Sequence, residues 1–156
     1  LDKLGLPYDG CPGVSSVCGA AAALKAEYTL PNVSQTVILT RMEGRTPVPE
    51  KEQIESLAAH GATMVIFLSA GQLEKLSQRL IAGGYAPETP AAIVCKATWP
   101  DEKVIRTTVA GLAEAAKREG VTKTALITVG GFLGDEYDRS KLYDPAFTTG
   151  FREASK

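Results

Sequence analysis

The chain has 156 residues, a formal net charge of -1, 44% hydrophobic residues and 22% charged residues. That length suits one domain with a full core, and the balanced charge, with no Lys/Arg run, argues against nucleic acid or an anionic membrane as partner. No apolar run is long enough to span a bilayer, and "LDKLGLPYDG" lacks the basic-then-apolar pattern of a signal peptide, so the expected location is the cytoplasm.

Leu1, Leu4 and Gly5 read as the last turn of a helix closed by a glycine cap. This sets the expectation that the chain is the back part of a longer one. "CPGVSSVCGAAAAL" (11–24) then runs from a Pro-Gly turn into an alanine-rich helix, with Ser15 or Ser16 as N-cap. "QTVILT" (35–40) is a short strand, and "PEKEQIESLAAHG" (49–61) a helix with Pro49 in its first turn and Gly61 at its end. "TMVIFLSA" (63–70) is a second strand. It leads into a helix whose Leu73, Leu76, Leu80 and Ile81 share one face, and Ser69 and Gln72 have capping-box spacing. "AAIVCKA" (91–97) is a third strand. "PDEKVIRTTVAGLAEAAKREG" (100–120) reads as a long helix, with Ile105, Val109, Leu112 and Ala116 on one face and Asp101 and Glu102 in the first turn. "TALITVG" (124–130) is the fourth strand. The tail carries Tyr143, Phe147 and Phe151, enough aromatic surface to dock on something.

Continuously apolar strands alternating with helices predict an α/β, three-layer sandwich around a central, largely parallel or mixed sheet. Ligands in such sheets collect at strand carboxyl ends, here "LTR" (39–41), "LSAG" (68–71), "CKATWP" (95–100) and "TVGG" (128–131).

Standard catalytic machinery is missing. His60, the only histidine, sits in a helix-to-strand turn. There is no GxSxG elbow and no P-loop lysine motif. "VGGFLGDE" (129–136) departs from a dinucleotide fingerprint, and Asp135 and Glu136 read as a solvated loop. Cys11, Cys18 and Cys95 lack CxxC spacing. They predict reduced, small apolar residues and no metal site. What remains is either a tight turn at "PGVSS" or a ligand held there by backbone groups and small side chains.

Read in order, "PGVSS", the alanine helix, "TLP", "SQTVILTR", "GRTPVPE", "HGAT", "FLSA", "WPDE" and "TALITVG" resemble the tetrapyrrole methylases over essentially the whole chain. The resemblance implies two α/β domains with S-adenosylmethionine in the cleft between them. Residues 1–34 would be a remnant of the first domain and the connection, and 35–156 the C-terminal domain. It further implies methyl transfer to a ring carbon of a corrin precursor in cobalamin biosynthesis, with S-adenosylhomocysteine as product and a homodimer as assembly. The cofactor contacts carried over are Ser15 and Ser16 after the PGV turn, Phe67 and Leu68 ending the second strand, Ala97 after the third, and Thr124, Ala125 and Leu126 opening the last. Arg41 and Arg45 would meet the substrate's carboxylates, because guanidinium binds carboxylate through two parallel hydrogen bonds. Alternatively they pair with Glu43 or Glu50 on the surface. No catalytic side chain and no metal are implied. In "FTTGFR", Thr149 stands where the family has His. The competing readings are a non-catalytic α/β ligand-binding or dimerisation domain, or a tetrapyrrole methylase with another substrate.

Overall fold

A computed structural model of the protein describes residues 1–135, 137–138 and 140–155. Its strands are β1 (Val37–Arg41), β2 (Thr63–Phe67), β3 (Pro90–Cys95), β4 (Lys103–Thr108) and β5 (Ala125–Val129). The helices are α1 (Ser16–Leu24), α2 (Ile54–Ala58), α3 (Leu73–Ala82) and α4 (Leu112–Glu119). None is long and apolar enough to cross a membrane. The five strands form one sheet in the order β1-β2-β5-β3-β4. Only β1 and β2 run parallel, and the other three pairings are antiparallel. Of the two sheet types expected, the mixed one is found.

Strand alternation sends successive side chains to opposite faces. Met64, Ile66, Ile93, Ile127 and Val129 point into a core roofed by α2, α3 and α4, where Leu76, Leu80 and Leu112 are fully buried. Each such leucine contributes roughly 1.5–3 kcal/mol of burial. Val65, Ala92, Val94 and Leu126 face the other way, against Ala20 and Leu24 of α1. The result is three layers. Gly83 closes α3 where it crosses α2, and a Cβ there would lie 2.6 Å from Ala58 Cβ and 2.7 Å from the Glu55 carbonyl oxygen. Only glycine allows that approach.

Four expectations need correction. The helix expected over 100–120 is a hairpin strand followed by a short helix. Val104, Ile105, Thr107 and Thr108 are β-branched and favour a strand, and β4 pairs with β3 from Cys95↔Lys103 to Pro90↔Thr108. Asp101 and Glu102 therefore lie in the β3–β4 turn. The helix expected over 49–61 is interrupted at Gln53, which is extended (φ -64°, ψ 151°), leaving a 3-10 turn at Glu50–Glu52 before α2. Ser69 makes no capping box, since a 3-10 turn at Ala70–Gln72 intervenes and neither it nor α3 has a side-chain cap. In the tail, Phe147 and Phe151 are exposed, and Arg152 folds the segment on itself by donating to the Leu142, Asp144 and Phe147 carbonyls. The side chain of Tyr143 lies outside the described residues.

Candidate functional site

Because β5 runs antiparallel to β2 and β3, its amino end lies beside their carboxyl ends. Cys95 is paired with Ala125. The segment 128–131 is thus carried to the opposite edge of the sheet, away from the other strand ends singled out in the sequence. At the shared edge lies a cavity of about 670 Å³. Phe67 and Leu68 line it from the exit of β2, Ala97 from the β3 exit, Thr124, Ala125 and Leu126 from the entry to β5, and Ser15 and Ser16 from the start of α1. All eight residues expected at a cofactor site line this one space, although they come from four separate segments.

Each wall has a physical cause. Ser15 caps α1 by accepting from the Val17 N–H at 3.3 Å. The helix is fixed at its start by the Tyr28 hydroxyl, which donates to the Val17 carbonyl at 2.8 Å, and at its end by Arg106, which donates to the Leu24 carbonyl at 3.0 Å. Burial pushes the Tyr28 phenol up to about 12, with the Cys18 thiol as a second cause, so it stays a neutral donor. α1 also approaches the β3 exit closely. A Cβ on Gly19 would lie 3.5 Å from that of Ala97.

The β3–β4 turn is braced from several sides. The Lys96 N–H donates to the Thr124 carbonyl at 3.0 Å, and the Thr98 N–H to a Glu102 carboxylate oxygen at 2.6 Å. Lys96 pairs with Asp101, and its ammonium lies 5.8 Å from the centroid of the Trp99 ring. Hydrogen bonding to Lys96 holds the Asp101 carboxyl below its ordinary value. Lys96, Thr98 and Trp99 all line the cavity, and Trp99 is 57% exposed. The sequence reading stopped at Ala97. The signal for its neighbours was the strand end "CKATWP", which already contained them.

Among the described residues, six non-glycine residues have positive φ, and four of them, Leu68, Lys96, Thr98 and Thr124, line this cavity. Such conformations cost on the order of 1–3 kcal/mol each and gather where a site is preorganised. Among the described residues, the cavity's charged side chains are Lys96 and Lys123, and no carboxylate lines it. Apolar walls, hydroxyls and main-chain groups suit a flat, mainly apolar ligand with a few polar edges. No three His, Cys, Asp or Glu side chains among the described residues are grouped to hold a metal ion.

Arg41 and Arg45 lie elsewhere. Arg41 donates to the carbonyls of Met42 at 3.0 Å, Thr46 at 3.3 Å and Pro47 at 3.0 Å, and so stitches its own loop together. Arg45 is exposed. Neither lines the cavity, and neither pairs with Glu43, which is bound by Lys75 and Arg79. Of the cysteines, only Cys95 is a buried apolar residue, while Cys11 and Cys18 are exposed. Asp135 is exposed, and Glu136 lies outside the described residues.

Comparison with known proteins adds an independent line. Residues 1–113 match the family model of Tetrapyrrole (Corrin/Porphyrin) Methylases. The cobalt-precorrin-4 C(11)-methyltransferase of Methanocaldococcus jannaschii is 52% identical over all of this chain and 61% of its own length. The X-ray structure of a cobalt precorrin-4 methyltransferase, CbiF, superimposes with a TM-score of 0.82 at 47% identity, covering 85% of this chain and 56% of that one. A uroporphyrin-III C-methyltransferase from Thermus thermophilus, complexed with S-adenosyl homocysteine, shares the fold at a TM-score of 0.68 and 20% identity over 84% of this chain and 56% of that one. The chain thus spans about 60% of the length of the curated relative it matches.

Proposed function

The chain belongs to the tetrapyrrole methylase family, and on that premise we propose that it is the C-terminal part of a precorrin-4-type C(11)-methyltransferase, carrying one wall of the S-adenosylmethionine cleft. The observation that carries this reading is the convergence of Ser15, Ser16, Phe67, Leu68, Ala97, Thr124, Ala125 and Leu126 on one cavity. When bound, S-adenosylmethionine supplies a sulfonium methyl for transfer to a nucleophilic ring carbon.

The residues fit that group. Phe67, Leu68, Ala97 and Ala125 give apolar surface for the adenosyl portion, Ser15 and Ser16 add hydroxyls, and β5 opens with main-chain groups at the cavity. Their work is alignment and exclusion of water, because the methyl is already activated and needs no side-chain nucleophile. Any cobalt would travel with the substrate ring. Of the two arginines assigned to the substrate's carboxylates, Arg45 is the stronger candidate, since the Arg41 guanidinium already serves three carbonyls.

In this reading residues 1–34 close a first domain and connect to the domain formed by 35–156. Residues 1–16 are exposed throughout and include Leu1, Leu4, Leu6, Tyr8 and Val14, apolar surface that a first domain would cover. A homodimer is part of the same proposal. The test is titration of the complete protein carrying this chain with S-adenosylhomocysteine, followed by turnover with a precorrin-4-type substrate and labelled S-adenosylmethionine. Micromolar binding and methylated product are expected, with no product from the 156-residue chain alone. Failure of the complete protein to bind S-adenosylhomocysteine would refute the reading.

A further inference from the structure

The side chain of Ser69 has no place in the helix cap its sequence spacing suggests, yet it is fully buried and its hydroxyl both donates and accepts a hydrogen bond. Ser69 Oγ donates to the Phe67 carbonyl at 2.7 Å and accepts from the Met42 N–H at 3.2 Å. The parallel ladder between β1 and β2 ends at the pair Arg41↔Phe67. One residue past that end, the hydroxyl takes over from the backbone and ties the two strand exits together. Between Phe67 and Ser69 sits Leu68, with φ 52° and 84% exposed. Leucine does not adopt this left-handed backbone by preference, so something must hold it there. The hydroxyl bridges the residue before Leu68 to buried Met42, the first residue past the end of β1, which fixes the turn from both sides.

We infer that Ser69 is a positioning residue for the cavity: its buried hydroxyl holds the left-handed turn that presents Phe67 and Leu68 to the adenosyl portion of the methyl donor. The inference rests on reading the cavity as the S-adenosylmethionine site. Without the hydroxyl, the Met42 N–H and the Phe67 carbonyl lose a shared partner, and the turn can relax toward ordinary backbone. Apparent affinity then falls in proportion to the fraction of molecules still holding the competent turn.

The experiment compares Ser69→Ala, Ser69→Cys and Ser69→Thr in the complete protein carrying this chain. It measures S-adenosylhomocysteine affinity by calorimetry, KM for S-adenosylmethionine and for the tetrapyrrole, kcat, and the urea midpoint. Ser69→Ala should weaken S-adenosylhomocysteine about tenfold, which converts to about 1.4 kcal/mol. KM for the methyl donor should rise by a similar factor, while kcat and KM for the tetrapyrrole stay within about twofold. Ser69→Thr keeps the hydroxyl and should recover affinity to within about threefold of the parent. Ser69→Cys, nearly isosteric but a weaker donor, should fall between, and it carries the test if the alanine variant does not fold. A lower urea midpoint with unchanged affinity and KM in these variants would make Ser69 merely structural and overturn the inference while leaving the cofactor reading intact. A threonine variant as weak as alanine would overturn it as well. Absence of S-adenosylhomocysteine binding by the parent protein would overturn both.

Discussion

Arg79 offers a sharp test of how the 42–47 loop is held to the helical layer. Its guanidinium, on α3, reaches Glu43 in that loop and Glu55 on α2. The Arg79 side chain is 11% exposed, against 31% for Glu43 and 37% for Glu55, so one shielded cation serves two carboxylates that still see water. Hydrogen bonding to Arg79, and secondarily to Lys75, holds the Glu43 carboxyl down to about 2, while Arg79 also lowers Glu55. Arg79→Met keeps the buried stem and removes the fork. Charged hydrogen bonds contribute about 1.5–3 kcal/mol each when shielded and well under 1 when exposed, so about 2 kcal/mol for the pair is reasonable at pH 7. For a chain of this length that corresponds to roughly 4–8 °C in Tm.

The sign of the pH effect follows from the direction of the shifts. Both carboxyls have folded values below their unfolded ones, so their stabilisation is present above about pH 4.5 and is lost as pH falls below it, for Glu43 as pH approaches about 2. Urea unfolding across that range should therefore show the parent and Arg79→Met curves separated at neutral pH and converging in acid. A separation that stays constant down to pH 2 would refute this account and assign Arg79 a packing role alone.

Ala125→Trp should weaken S-adenosylhomocysteine binding to the complete protein at least tenfold, about 1.4 kcal/mol, with little change in Tm; unchanged affinity with about 1–3 kcal/mol lost stability would make Ala125 a core residue. Gly83→Ala should cost about 1–3 kcal/mol, because its Cβ would meet Ala58 and the Glu55 backbone, and a neutral result in urea would show that α2 and α3 slide apart freely. The 156-residue chain should self-associate through apolar surface exposed along residues 1–16. Sedimentation as a strict monomer at high concentration would count against that surface.

The buried strands and α3 were legible because each carries one dominant signal. β2, β3 and β5 are continuous apolar runs, and Leu73, Leu76 and Leu80 repeat at helical spacing. The segment 100–120 carried two signals at once. Ile105, Val109, Leu112 and Ala116 fit a helical period, yet Ile105 is buried as a strand residue, Val109 in the turn after it, and only Leu112 and Ala116 on a helix. That single misreading inverts the sheet. β4 carries the chain back along the sheet, α4 returns it to the cavity edge, and β5 therefore enters there. For this reason Thr124, Ala125 and Leu126 line the cavity, while the carboxyl end of β5, an expected ligand position, does not. The eight cofactor candidates were found through family resemblance. Lys96, Thr98 and Trp99 were missed because their role depends on how a loop is braced, which spacing does not encode.

The order of the sheet has a consequence for how the chain is made. β5 is last in sequence but central in space, between β2 and β3. Until residue 129 is available, the β1–β2 pair and the β3–β4 pair are separate pieces, each with one bare edge bound for the same missing strand. Unpaired edges recruit other chains, and long-range pairings of this kind form slowly. During synthesis from the amino end, both pieces must therefore wait, open, for the strand that joins them. The same insertion that completes the sheet brings Thr124, Ala125 and Leu126 to the cavity, so this wall of the cavity is incomplete until β5 is in place.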